Sequence, residues 1–148
     1  MWVLIGFQYV GKSTLAQRWA QRGQRRWVDT DRLIEQVHHQ THAHDHVHNQ
    51  DLKPLSTRAI HQQLGEFSFR ELEQRAILSL PVDGALIATG GGSVLRSENV
   101  QALRAHGPLL FLSAPAEWLY ERALALQDTR YRNFQHFLHH YQPFFLMS

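Results

Sequence analysis

Apolar residues along this chain follow two periods. Short, almost uninterrupted apolar runs stand at about 2–6, at Arg26-Trp27-Val28-Asp29, at Ala85-Leu86-Ile87-Ala88-Thr89 and at Leu109-Leu110-Phe111-Leu112. Runs of this kind predict strands buried on both faces, as in a parallel sheet covered by helices. Between them the apolar positions recur every three to four residues. That spacing predicts helices at about 12–22, from Thr30 to about Val37, from Glu66 to Leu80, at 97–106, at about 115–125 and at about 133–140. In the helix from Glu66, Phe69, Leu72, Ala76 and Leu80 share one face. Ser56 can cap a further short helix to Gln63 that Gly65 breaks, and Ser97 can cap the helix that follows it. Strand–helix alternation over 148 residues predicts one α/β domain, a three-layer doubly wound parallel sheet. Ligands of such sheets sit beyond the carboxyl ends of the strands.

The residues with distinctive chemistry fall at those ends. Gly6 to Thr14 fits G-x-x-x-x-G-K-[ST] between a predicted strand and a predicted helix. In that setting backbone N–H groups and a helix N-terminus face a polyphosphate. Lys12, one of only two lysines, would neutralise β- and γ-phosphate oxygens, and Ser13 would ligate Mg²⁺. Asp29 closes the second strand and could hold the metal. Asp31 could accept a hydrogen bond from a substrate hydroxyl; capping of the helix at Thr30 is the plainer reading of both acids. Gly90-Gly91-Gly92 offers bare backbone to an anionic or hydroxylated ligand, or makes a simple strand-to-loop turn. Arg70 could fork onto a carboxylate, with Glu73 three residues on holding the guanidinium; taken alone, a surface ion pair is the plainer reading.

Composition narrows the setting. The formal charge is +2, 43% of residues are apolar, and there is no cysteine for a disulfide or a thiolate metal site. No stretch approaches the ~20 apolar residues of a membrane span, and the amino terminus lacks the basic start of a signal peptide. Arginines do not gather into a nucleic-acid stripe. The expectation is a cytoplasmic protein acting on a small molecule, without nucleic acid or membrane.

Taken together, Gly6 to Thr14, Val28-Asp29-Thr30-Asp31, Gly65-Glu66-Phe67-Ser68-Phe69-Arg70-Glu71-Leu72-Glu73 and Ala88-Thr89-Gly90-Gly91-Gly92-Ser93-Val94-Leu95 resemble the shikimate kinases in order and spacing, over roughly residues 1–125. The resemblance implies a P-loop kinase fold and ATP-dependent phosphorylation of the 3-hydroxyl of shikimate, in chorismate and aromatic amino-acid synthesis. It implies that Tyr9, Val10, Gly11, Lys12, Ser13 and Thr14 wrap the phosphates of ATP and that Ser13 and Asp29 serve Mg²⁺. Asp31 would polarise the shikimate hydroxyl. Arg70, with the N–H of Gly91 and neighbouring Gly92, would hold the acid. Arg122 would pack on adenine, and Arg130 would close over the transferring phosphate. Substrate would lie under an insertion at about 31–65 and a lid at about 126–133. The alternatives are a kinase for another small hydroxy acid and a degenerate, non-catalytic nucleotide-binding homologue.

The chain also departs from that pattern. Bulky Gln8, Tyr9 and Val10 stand where the loop normally has small residues, so the Tyr9 side chain must turn away from the phosphates. An extra segment, read as a solvated loop over 38–54, carries His38, His39, His42, His44, His46 and His48; imidazoles so spaced would bind Zn²⁺ or Ni²⁺ weakly. The lid is short. Tyr141 falls at the position of a second carboxylate-binding arginine. The family continues beyond the point where Ser148 ends this chain, so the resemblance leaves a fifth strand missing and the fourth at the sheet edge. A monomer is expected, with self-association available through the apolar tail Phe144-Phe145-Leu146-Met147.

Overall fold

The computed structural model describes residues 2–42, 53–81 and 84–145. Its elements run β1 (Val3–Gly6), α1 (Lys12–Gly23), β2 (Trp27–Asp29), α2 (Thr30–His42), α3 (Thr57–Leu78), β3 (Leu86–Ala88), α4 (Ser97–His106), β4 (Leu109–Leu112), α5 (Ala116–Ala125) and α6 (Phe134–Phe145). The strands form one parallel sheet in the order β2-β3-β1-β4. The register sets Asp29 and Leu4 both opposite Ala88, and Gly6 opposite Leu112. The carboxyl ends of the strands therefore open onto one edge.

Strand alternation sorts the core into two layers. Val3, Ile5 and Ile87 face Leu103, Leu119 and Phe137, supplied by α4, α5 and α6. Leu4, Leu86 and Ala88 face Ala16 of α1 on the other side. Helices thus cover both faces, which is why the strands read as unbroken apolar runs. A separate cluster of Ile34, Ile60, Phe69, Leu72 and Ala76 fastens α2 to α3. Full burial of each of the larger side chains is worth about 1.5–3 kcal/mol.

The expected elements form, with informative shifts. Ser56 caps α3 by accepting from the Ala59 N–H at 3.3 Å. The two helices expected around Gly65 run together as one kinked helix, with Gly65 at φ 76° and ψ 170°. Ser97 is the first residue of α4, not its cap, and its hydroxyl donates to Glu98. Helix α2 continues past Val37 to His42, because His38 lies one turn beyond Ile34 and both are buried. The histidine-rich segment read as a loop over 38–54 is therefore helical at its start. His44, His46, His48 and the side chain of His42 lie outside the described residues. Among the described residues, no group of three or more His, Asp or Glu is placed to hold a metal ion.

Helix α6 also outruns its expected end. Phe137, Tyr141 and Phe144 pack edge-on around Phe7, with ring centroids 5.3, 5.4 and 5.0 Å away. Phe144 is thus part of the core, not of a free apolar tail, whereas Leu146 and Met147 lie outside the described residues. Among the described residues β4 pairs only with β1, so it is a sheet edge. No described helix is long and apolar enough to cross a membrane.

Candidate active site

Gly6 ends β1 at φ 142°, where a side chain would collide with the Leu112 carbonyl oxygen. The chain then loops through Phe7–Val10 and enters α1 at Gly11, whose φ is 93°. Lys12 is buried, and its ammonium donates to the carbonyls of Gly6 and Phe7 at 2.8 Å each. Two of its three donors are so engaged, which leaves one for an anion. Burial pushes the Lys12 pKa down to about 8, against the opposing pull of Asp31 and Asp29.

Asp29 caps the next helix and meets Ser13 at the same time. Its Oδ1 accepts the Asp31 N–H at 3.0 Å, capping the start of α2, and its Oδ2 accepts the Ser13 hydroxyl at 2.6 Å. A hydroxyl and a carboxylate converge here beside the loop, a donor set suited to a hard divalent cation. Asp31 is largely buried; desolvation first, then the charge of Asp29, raise its pKa to about 6, with Lys12 opposing. Thr30 accepts the Gly90 N–H at 2.8 Å, tying the ends of β2 and β3 together.

Each residue of the glycine triplet makes room for a different side chain. A Cβ on Gly90 would stand 2.5 Å from Asp31 Oδ1; on Gly91 it would strike Gln8; on Gly92 it would lie 2.8 Å from both terminal nitrogens of Arg70. Arg70 donates through Nε to Glu66 at 2.7 Å and through Nη1 to Glu73 at 3.0 Å. Burial opposes its charge, but Glu73 and Glu66 outweigh that, and its pKa is raised. Buried Glu73 also accepts the Ser93 hydroxyl at 2.9 Å, and Asn99 donates to the Ser93 carbonyl at 3.0 Å. Ser93 and Asn99 were not anticipated from sequence; a serine directly after the glycines was the only signal.

The loop between α5 and α6 carries Arg130. Its Nε donates to both oxygens of Asp128 at 2.9 Å, and its Nη2 bonds Asp128, Gln8 and the Tyr9 hydroxyl, the last at 2.7 Å. The Tyr9 hydroxyl in turn donates to Asp128. Tyr9 therefore turns toward this loop, as its bulk required. It does so at φ 68°, a left-handed conformation that costs a non-glycine residue about 1–2 kcal/mol. Burial, with Asp128 adjacent, raises the tyrosine pKa to about 12. Arg122 lies over the Trp118 ring at 4.7 Å.

One cleft of about 920 Å³ joins these groups. It is lined by Tyr9, Gly11, Lys12, Ser13 and Thr14, by Asp31, by Arg70, Gly91 and Gly92, and by Arg122 and Arg130. Asp29 reaches it through Ser13. Two anticipated residues fall elsewhere. Val10 turns its side chain into the apolar core. Tyr141 donates its hydroxyl to the Ala114 carbonyl at 3.1 Å and borders a separate groove of about 640 Å³ between α5 and α6. The aromatic stripe that holds α6 against Phe7 fixes this orientation, so Tyr141 does not take the substrate-binding position assigned to it. His140, the preceding residue, and His61 line the cleft and were not anticipated.

The family model for shikimate kinase matches residues 9–136. The chain is 38% identical to the shikimate kinase of Symbiobacterium thermophilum over 122 residues, 82% of this chain and 62% of that protein. It is 40% identical to the shikimate kinase of Desulforudis audaxviator over 121 residues, 81% of this chain and 56% of that protein. The chain spans less than two thirds of the length of either relative. Among solved structures, a shikimate kinase from Acinetobacter baumannii in complex with shikimate superposes with a TM-score of 0.72 at 23% identity, covering 93% of this chain and 71% of that one. The shikimate kinase of Aquifex aeolicus superposes equally well, TM-score 0.72 at 22% identity, covering 100% of this chain and 83% of that one. At such identities the superpositions establish a common fold.

Proposed function

The chain belongs to the shikimate kinase family, and from that membership we propose that it transfers the terminal phosphoryl group of ATP to the 3-hydroxyl of shikimate. This is a cytoplasmic step toward chorismate and the aromatic amino acids. The observation that carries the reading is the shared cleft: a phosphate loop with Lys12 and Ser13 at one end, Arg70 against bare glycine backbone at the other, and Asp31 lining the space with them.

Each residue then has a task that its surroundings fit. The loop N–H groups and Lys12 hold the phosphates, with the free Lys12 donor on the transferring group. Ser13 and Asp29 would hold Mg²⁺, which offsets phosphate charge when bound. Asp31 orients the acceptor hydroxyl and takes its proton as the oxygen bonds to phosphorus and the bond to ADP breaks; a pKa near 6 leaves it mostly ionised at neutral pH yet able to hold a proton. Arg70 and the Gly91 N–H grip the acid, Arg122 flanks the base of the nucleotide, and Arg130 faces the transferring phosphate.

The acid end supports a second reading. Arg70 is already shared by Glu66 and Glu73, and Tyr141 turns away, so selection for one acid is weaker than for the phosphate donor. A kinase for another small hydroxy acid fits that end as well. Coupled ADP release with MgATP, with and without shikimate, tests both. Shikimate-dependent turnover that Lys12→Ala abolishes is expected. Turnover only with other hydroxy acids selects the second reading, and MgATP binding without turnover on any acid removes both.

A further inference from the structure

The hydrogen bonds that link the phosphate loop to the α5–α6 loop join residues far apart in sequence and do not follow from fold alone. Asp128 grips Arg130 along its Nε–Nη2 edge, while Nη1 donates to none of the described residues. An arginine held along one edge presents the other in a fixed direction, and Arg130 lines the cleft. Asp128 is buried and held far below the ordinary carboxylate range: burial opposes this, but the hydrogen bonds from Arg130 and Tyr9 prevail. Arg58, from the first turn of α3, approaches the same carboxylate at 3.8 Å.

Tyr9 supplies an independent observation. A bulky aromatic residue occupies a left-handed backbone position in the phosphate loop. Such a conformation persists only where the surroundings over-determine it, and it points to a task for the side chain. The side chain ends on Asp128 and Arg130.

We propose that Tyr9 and Asp128 form a latch that holds the short α5–α6 loop down on the phosphate loop and aims the free edge of Arg130 into the cleft. They act as positioning residues: neither transfers a proton or a phosphoryl group. A short lid closed by a side chain rising from the phosphate loop needs no further length of its own. The direction given to Arg130 rests on the kinase reading; the latch itself does not.

The test therefore has a readout that requires no activity. Trypsin cleaves after Arg130 and Arg132 when the loop lifts, so the cleavage rate, followed by mass spectrometry of the ligand-free protein, reports the open population. Tyr9→Phe and Asp128→Asn should each raise it about tenfold, the size expected on losing one hydrogen bond to a charged group. The double variant should open by less than the product of the two single effects, because both residues hold Arg130 through one network. Tyr9→Gly, which removes the latch side chain and relieves the left-handed backbone at once, should also be cut faster. In turnover, Tyr9→Phe should lower kcat at unchanged KM for the acid. Faster cleavage in an inactive wild-type background would uphold the latch and remove only the kinase reading. Cleavage at the wild-type rate in both Tyr9→Phe and Asp128→Asn overturns the proposal.

Discussion

Gly92 lies flat against the guanidinium of Arg70: a methyl group on it would stand 2.8 Å from both terminal nitrogens and 3.1 Å from the carbon between them. The glycine is there because the arginine is. Gly92→Ala should push Arg70 off Glu73 and spoil its aim. The expected outcome is a KM for the acid raised by about tenfold to a hundredfold, the worth of one charge-assisted hydrogen bond. Affinity for MgATP, measured by titration calorimetry, should be nearly unchanged.

Glu73 is the buried anchor of that arrangement. Replacing it with alanine strands both Arg70 Nη1 and the Ser93 hydroxyl. Arg70 keeps Glu66 and some solvent, so the cost should be about 3 kcal/mol, the low end for breaking a buried ion pair. Chemical denaturation would read this directly. Glu73→Gln, which retains an acceptor, should lose less than half as much.

Asp31 makes stability and activity respond to pH in opposite senses. Its folded pKa of about 6 lies above the ordinary 3.8, so between those values the folded protein holds a proton that the unfolded chain has released. Stability should fall as pH rises from about 4 to about 6, by on the order of 2–3 kcal/mol. Asp31→Asn should flatten that slope. The base role proposed for Asp31 requires the ionised form, so kcat/KM should climb through about pH 6 and level off above it. The asparagine variant should lose about 10²–10⁴-fold of turnover along with the climb.

Lys12 has the reverse sign. Its folded pKa of about 8 lies below the ordinary 10.5, so the burial cost is complete below pH 8 and is relieved as pH rises beyond it. Lys12→Met should remove a rise in stability between about pH 8 and pH 10.5. It should also raise the Asp31 pKa, since Lys12 is the charge that holds it down.

Much of this was legible in the sequence. Continuous apolar runs gave the strands, because both faces of a parallel sheet are covered. Spacing alone gave the loop at Lys12 and Ser13, because a glycine-bounded turn from strand to helix is a backbone property with a local signature. Long-range side-chain geometry was not legible. Tyr141 and His140 are neighbours, and nothing in the residues says which one faces the cleft; the packing of Phe137 and Phe144 around Phe7 decides. The tie between Asp128 and Tyr9 leaves no local signal, because it spans 119 positions. The extension of α2 through His38 is not legible because a histidine in a polar-looking run gives no apolar period, although it is buried.

The bend inside α3 has a stereochemical consequence. Gly65 sits at φ 76° and ψ 170°, and a Cβ placed on it meets nothing within 4 Å. The angle between the arm that carries Arg58 and His61 and the arm that carries Arg70 and Glu73 is thus set by torsion and not by crowding. Handedness, not bulk, is what this position refuses. Gly65→Ala would find room for its methyl group but not for its φ, so it would straighten or strain the same hinge, which outweighs what it gains by restricting the unfolded chain.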